Sequence, residues 1–213
     1  MNYKAVLFDM DGTVLDTLED LHDSVNACLE HFGLPASTLQ TTRAGLGNGA
    51  VHLLRVSMPG QSEELVQQAL AWYVPWYQSH CQIKTRPYEG ILPLMERLRE
   101  KGIRQAIVSN KPDGAVQELS ETFFRGLMDV VVGDSPAVRR KPAPDTVLRA
   151  AEQMGLAPAD SVYVGDTEVD LLTAANAGMD CIAVTWGFRD DADLIAAGAK
   201  LIAHDAAELE ALL

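Results

Sequence analysis

The sequence predicts an α/β protein built on a doubly wound parallel sheet, with one helical unit inserted into it. Three observations predict this. Short apolar and β-branched runs recur at residues 5–9, 103–109, 130–133, 161–165 and 181–186, with 201–203 a candidate sixth. Helical patterns separate the runs, and such alternation implies a parallel sheet covered on both faces through right-handed crossovers. The first two runs stand about ninety residues apart, where an ordinary strand-to-helix connection takes about 2–6.

The first run ends in Asp9-Met10-Asp11-Gly12-Thr13, which sets two carboxylates on a tight turn at a strand tip. The long connection that follows is itself helical. Leu18, Leu21, Val25, Leu29 and Phe32 mark one helical face, opened by a cap at Asp16 or Thr17. Residues 47–56 and 62–80 read as further helices, with Ser62 as an N-cap and Pro75 expected to kink or break the second. Residues 85–90 form a return linker. The chain therefore divides into a core of residues 1–16 and 87–213 and a helical unit of residues 17–86. Trp72, Tyr73, Trp76 and Tyr77 sit at helical spacing and are expected to pack inside that unit. The five histidines show no metal-ligand spacing and read as structural or surface residues.

The 213 residues carry a formal net charge of −13, with 47% hydrophobic and 22% charged residues. That balance argues against nucleic acid, which calls for a basic stripe. It also means that any phosphate site must supply concentrated local positive charge. No apolar run approaches the roughly 18 residues that span a bilayer, and the N-terminus lacks the marks of a signal peptide. Cys28, Cys81 and Cys181 lie far apart with no C-x-x-C pair, as expected of free thiols in a reducing, cytoplasmic setting.

In a doubly wound sheet, ligands bind beyond the carboxyl ends of the strands. Asp9 ends the first strand, Ser109 the second, Asp166 follows the fourth, and Lys141 lies in the loop after the third. Asp166 and Asp170 are four apart at a helix start and are expected to share a face of its first turn. With Asp9 and Asp11 they would place four carboxylates in one crevice, which cannot all stay ionised without a cation. Mg²⁺ fits as a hard ion that takes oxygen ligands.

Four motifs carry a resemblance across nearly the whole chain: residues 9–13, Val108-Ser109-Asn110, Lys141-Pro142-Ala143-Pro144 and Gly165-Asp166-Thr167-Glu168-Val169-Asp170. In this order and spacing the chain resembles the haloacid dehalogenase superfamily of phosphotransferases. The resemblance implies a Rossmann-like core with the helical insertion as a mobile cap. It implies that Asp9 is a nucleophile forming an aspartyl-phosphate, and that Asp11 is a general acid and then a base. Lys141 would neutralise charge on Asp9 and the phosphoryl oxygens. Thr13, Ser109 and Asn110 would form the phosphate-binding set, with Thr13 alternatively fixing the turn. Mg²⁺ would be held by Asp9, Asp166 and the main chain of Asp11, with Asp170 a direct or indirect partner.

Single positions separate the branches of that superfamily. Dehalogenases and phosphonate hydrolases lack an acid at the position of Asp11. Phosphonate hydrolases also need a cap lysine, and residues 17–83 contain none. A phosphate-ester hydrolase or a phosphomutase remains. The segment Arg43-Ala44-Gly45-Leu46-Gly47-Asn48-Gly49-Ala50, followed by Arg55, resembles the cap of phosphoglycolate phosphatases, except that Gly45 stands where those carry a large aromatic. In this reading Arg43, Asn48 and Arg55 receive a substrate carboxylate at a glycine-rich helix start. The expected partner is a small phosphorylated metabolite, with the protein a monomer or homodimer. A β-phosphoglucomutase-like mutase, a pyrophosphatase or nucleotidase, and, from a different class, a phospho-acceptor signalling domain are the alternatives. Signalling receivers are shorter and carry no helical insertion after the first strand.

Overall fold

The structure is a computed structural model that describes residues 3–213. Its strands are β1 (Ala5–Phe8), β2 (Leu15–Asp16), β3 (Arg86–Pro87), β4 (Arg104–Pro112), β5 (Val130–Asp134), β6 (Ser161–Gly165), β7 (Asp180–Val184) and β8 (Leu201–Ala203). Six of them form one parallel sheet in the order β5-β4-β1-β6-β7-β8, so the candidate sixth strand is present. The order reverses at β1, which lies between β4 and β6. That is the topological switch point where such sheets open a crevice.

Both faces of the sheet are buried. Along β1, Val6 and Phe8 enter one apolar cluster and Ala5 and Leu7 the other, following the two-residue alternation of a strand. The core helices are α5 (Ile91–Glu100), α6 (Asp113–Phe123), α7 (Asp145–Gln153), α8 (Glu168–Ala177) and α9 (Asp191–Ala196), with α10 (Ala206–Leu212) following β8.

The insertion contains α1 (Leu18–His31), α2 (Leu39–Ala44), α3 (Ala50–Ser57) and α4 (Glu63–His80). The chain enters and leaves it through a two-stranded antiparallel ribbon, with Leu15 opposite Pro87 and Asp16 opposite Arg86. An Arg86–Asp16 ion pair of 2.9 Å spans that ribbon. Buried Asp20, near the start of α1, accepts the main-chain N–H groups of Lys84 and Thr85 and ties the return linker to α1. Leu21, Val25 and Leu29 are buried as their spacing predicts, and they join the same apolar cluster as β1.

Three local expectations are corrected. The N-cap position of α1 is Thr17, but its side chain makes no capping hydrogen bond. The helix expected at residues 47–56 begins only at Ala50, because Gly47 and Gly49 take φ of +103° and +82° and form a turn instead. Pro75 lies inside α4, which runs on to His80. Tyr73 and Tyr77, on either side of the proline, are buried and stacked with ring centroids 5.7 Å apart, so packing holds the turn that the missing N–H weakens. Ser62 caps α4 as expected, accepting from the N–H of Leu65 at 3.2 Å.

Candidate active site

The crevice at the switch point is built from strand ends. The N–H of Asp9 donates to the carbonyl of Val164 at 2.8 Å, fixing the first motif to the tip of β6. Asp11 and Gly12 then turn the chain into the β2 ribbon. Gly12 is at φ +83°, and a Cβ there would lie 2.2 Å from Asp166 Oδ2. Only glycine lets this turn press against that carboxylate. Trp186 Nε1 donates to the carbonyl of Thr13 at 2.9 Å and closes the turn from the other side.

Lys141 lies at the centre of the charged cluster and is 4% exposed. Its Nζ stands 2.9 Å from Asp9 Oδ1 and 2.8 Å from Asp170 Oδ1, and it donates to the Tyr163 hydroxyl at 2.9 Å. Burial works against its charge, but Asp170 and Asp9 outweigh that cost and hold the ammonium above its ordinary range. Burial raises Asp9 to about 7, with Lys141 pulling the other way and Asp170 adding to the rise.

Asp166 is fully buried and well above the usual carboxylate range, first through burial and then through Asp170 and Asp9. It accepts from the Thr13 hydroxyl at 2.9 Å and from the N–H of Phe188 at 2.7 Å. Asp166 precedes the N-cap Thr167 and lies at the strand tip, while Asp170 is in the first turn of α8, so the two do not share a helical turn. Asp170 Oδ2 accepts from the N–H and the hydroxyl of Thr167 in a capping box, and its Oδ1 takes Lys141 and Tyr163.

One oxygen from each of Asp9, Asp166 and Asp170 lies within 4.8 Å of the others, a spacing that suits a metal ion. The donor set fits a hard divalent cation. Asp9, Asp11, Asp166 and Asp170 face two lysines, Lys141 and Lys111, and Asp166 has neither against it. Asp170 is already saturated by four donors, so Asp9 and Asp166 are the carboxylates with capacity left for an ion.

The phosphate-binding residues separate into different tasks. Ser109 is buried and lines the cavity beside Asp9. Asn110 also borders it, but its side chain is a bracket. Its Nδ2 donates to the carbonyls of Lys141 and Gly47, and its Oδ1 accepts the N–H of Lys141 at 2.9 Å. Thr13 points at Asp166 rather than into the cavity.

The cap arginines are not brought to the cavity. Arg43 donates from Nε and Nη2 to the carbonyls of Phe188 and Gly187 at 2.9 and 2.7 Å. It is a strap from α2 to the loop whose Phe188 N–H holds Asp166. Arg55 is exposed and paired with Glu63 at 2.6 Å, within the insertion. Asn48 does not line the cavity, although its neighbours Gly47 and Gly49 do. At Gly45 a Cβ would come 3.2 Å from the Leu53 side chain, so α2 and α3 pack closely where relatives carry an aromatic.

Residues that sequence reasoning passed over complete the site. Lys111, directly after Asn110, is 5% exposed, and its Nζ lies 2.8 Å from Asp11 Oδ1 and donates to the Tyr77 hydroxyl. Its signal was a lysine next to the Ser-Asn pair at a sheet edge that needs positive charge. Tyr163 orients both Lys141 and Asp170 from within β6. The aromatic cluster of α4 divides. Tyr73 and Tyr77 line the cavity, while Trp72 and Trp76 stack with His31 and His80 on another face, Trp76 being 37% exposed. None of the five histidines lies in this site.

The chain is similar in sequence and fold to known proteins. Residues 6–184 match the family model of haloacid dehalogenase-like hydrolases. The chain belongs to the haloacid dehalogenase-like hydrolase family, and within it is a phosphatase of the phosphoglycolate phosphatase-like group. It is 34% identical to a phosphoglycolate phosphatase of Xanthomonas campestris pv. campestris over 187 residues, covering 87% of this chain and 85% of that one. A phosphoglycolate phosphatase of Pseudomonas putida is 31% identical, over 99% of this chain and 78% of its own. A crystal structure of a candidate phosphoglycolate phosphatase from Lactobacillus delbrueckii subsp. bulgaricus superposes with a TM-score of 0.93 at 40% identity, over 100% of this chain and 98% of that one.

Proposed function

We propose that the protein is a Mg²⁺-dependent phosphatase that hydrolyses a small phosphate monoester, 2-phosphoglycolate first among them, through an aspartyl-phosphate on Asp9. The observation that carries this reading is the placing of Asp9 and Asp11 on one cavity, with Asp9 against the buried Lys141. A carboxylate held by Lys141 is aimed and charge-compensated, as a nucleophile toward an anionic phosphoryl group must be. Asp11, two residues on, is placed to give a proton to the leaving alcohol oxygen and later to take one from water.

Asp9 and Asp166 would hold the metal, which when bound draws charge from the phosphoryl oxygens. The rest is done by the chain itself. Ser109 and the surrounding main chain hold phosphoryl oxygens, Asp170 and Tyr163 keep Lys141 in line, and the insertion, taken as residues 17–86, excludes bulk water. The ribbon of β2 and β3 is the place where such a cap would hinge. Three unpaired cysteines fit a reducing cytoplasm as the site of action. No helix among the described residues is long and apolar enough to cross a membrane.

The test is phosphate release with and without Mg²⁺ across small phosphorylated acids, sugar phosphates, nucleotides and pyrophosphate, with the phosphoenzyme trapped and located by mass spectrometry. Metal-stimulated release with the label on Asp9 is the expected result. Label on another residue, or isomerised sugar phosphate in place of free phosphate, would overturn it.

A further inference from the structure

The mechanism above leaves three buried polar groups on the cavity unused. Lys141 answers the charge of Asp9, yet a second buried lysine, Lys111, stands beside Asp11. Its ammonium lies 4.3 Å from the centre of the Tyr77 ring and donates to that residue's hydroxyl. Tyr77 therefore keeps its own O–H proton free to donate. Tyr73 stacks on Tyr77 and is 1% exposed, and its hydroxyl has no hydrogen-bond partner among the described residues. Leaving a buried phenol unpaired is costly, so such a group calls for a partner that arrives later. Burial and the nearby Asp11 raise both phenols well above their ordinary range, so they remain proton donors.

We infer that Lys111, Tyr73 and Tyr77 form the receptor for a carboxylate carried on the substrate's leaving group, in place of the cap arginines. This inference rests on the phosphatase reading above. If Asp11 protonates the leaving oxygen, the atoms attached to that oxygen lie beyond Asp11, and beyond Asp11 stand Lys111 and the two tyrosines. The cavity measures about 50 Å³, with apolar Leu21 and Leu53 in its wall. The same cavity must also seat the phosphoryl group beside Asp9 and Ser109, so it favours a very short tail over a sugar or a base. A carboxylate there would meet one ammonium and two phenol donors in a low-dielectric pocket, where charge-assisted hydrogen bonds are strong. An uncharged tail of the same size would leave the lysine and Tyr73 without a new partner. Sites of this kind reject such analogues strongly.

The experiment uses the full chain with Mg²⁺ and two substrates, 2-phosphoglycolate and ethyl phosphate, which differ by a carboxylate in place of a methyl group. The readout is the ratio of their kcat/KM values. Any effect of a Lys111 substitution on both substrates through Asp11 cancels in that ratio. In the wild type the acid should be preferred, and Lys111→Met should lower the ratio by about 10- to 100-fold. Tyr73→Phe, which keeps the ring and its stacking, should lower it by about 3- to 10-fold. An unchanged ratio in folded Lys111→Met, or in Tyr73→Phe if the lysine variant fails to fold, would overturn the inference. So would a wild-type preference for pyrophosphate over the acid. If neither ester released phosphate, the phosphoglycolate reading on which the inference rests would fail. Release from both at a ratio near one would defeat only the receptor.

Discussion

The two halves of the active site are built on opposite plans. On the core side every buried charge has fixed partners: Lys141 between Asp9 and Asp170, Asp170 under a capping box, Asp166 between the Thr13 hydroxyl and the N–H of Phe188. On the cap side the wall is apolar and aromatic, and its polar group Tyr73 has nothing to bond to. The core half is preorganised for a phosphoryl group, whose charge is the same in every substrate. The cap half is incomplete until a substrate tail fills it. On the proposed reading the chemistry belongs to the core, while the receptor joins Tyr73 and Tyr77 of the insertion to Lys111 of β4; a ribbon of two short strands connects the two halves.

The comparison breaks most sharply at Asp9. Asp9→Asn removes the proposed nucleophile from the preorganised half and should lower kcat by at least about 10⁴-fold on every substrate, with no phosphoenzyme trapped. Turnover within tenfold of wild type would mean that another group attacks phosphorus.

Asp170→Asn comes next. Because its oxygens are saturated by Lys141, Tyr163 and Thr167, its expected task is to aim Lys141. Its kcat should fall by about 10- to 100-fold, while the Mg²⁺ concentration for half-maximal activity moves little. A tenfold or larger rise in that concentration would make it a direct metal ligand.

Metal removal sharpens the same contrast through pH. Burial, opposed by Lys141 and reinforced by Asp170, lifts Asp9 to about 7 in the metal-free protein. Its folded pKa is above its unfolded value, so the stability this carboxyl contributes is full below about 4 and lost as pH rises through about 7. A cation bound to the ionised form counters that loss. The rise in Tm on adding Mg²⁺ should therefore grow between about pH 5 and pH 8. A shift that stays flat across that window would place the ion elsewhere.

These two plans also explain what the sequence disclosed. The core half is written locally, because each of its residues sits at a strand tip beside a turn glycine, a proline or a helix start. Asp9, Lys141 and Asp166 could be placed in one crevice from the strand ends, and five strands of the sheet follow from their apolar runs, with residues 201–203 a candidate sixth. The cap half is written across distance. Arg43 and Arg55 had the right chemistry next to a Gly-Asn-Gly turn, but which way each points depends on a loop about 145 residues away and on a neighbouring helix. Lys111 and Tyr77 meet only because the insertion folds back over β4. Pro75, a breaker by local rule, is overruled by the packing of the tyrosines on both sides of it.

Arg43→Ala tests the strap between the halves. Losing its two bonds to the loop at Gly187 and Phe188 should loosen the seat of Asp166 for every substrate alike. Phosphoglycolate and ethyl phosphate should lose about 3- to 10-fold in kcat/KM together, leaving their ratio unchanged. A loss confined to the acid would return Arg43 to the role of carboxylate receptor.

The smallest effect belongs to Arg55. Its guanidinium lies on the outer side of the insertion and is held by Glu63, with half of each side chain in solvent. Exposed pairs of this kind contribute little to stability and are screened by salt. Arg55→Ala should leave kcat/KM for both esters within about twofold of wild type. The position matters because it carries the same residue type as Arg43, on the next helix of the same cap. If Arg55→Ala selectively weakened the acid, the cap would have to adopt in solution an arrangement that swings α3 toward Asp11. The closed wall of Leu53, Tyr73 and Tyr77 would then be a resting state, and the receptor would have to be sought on that moving helix.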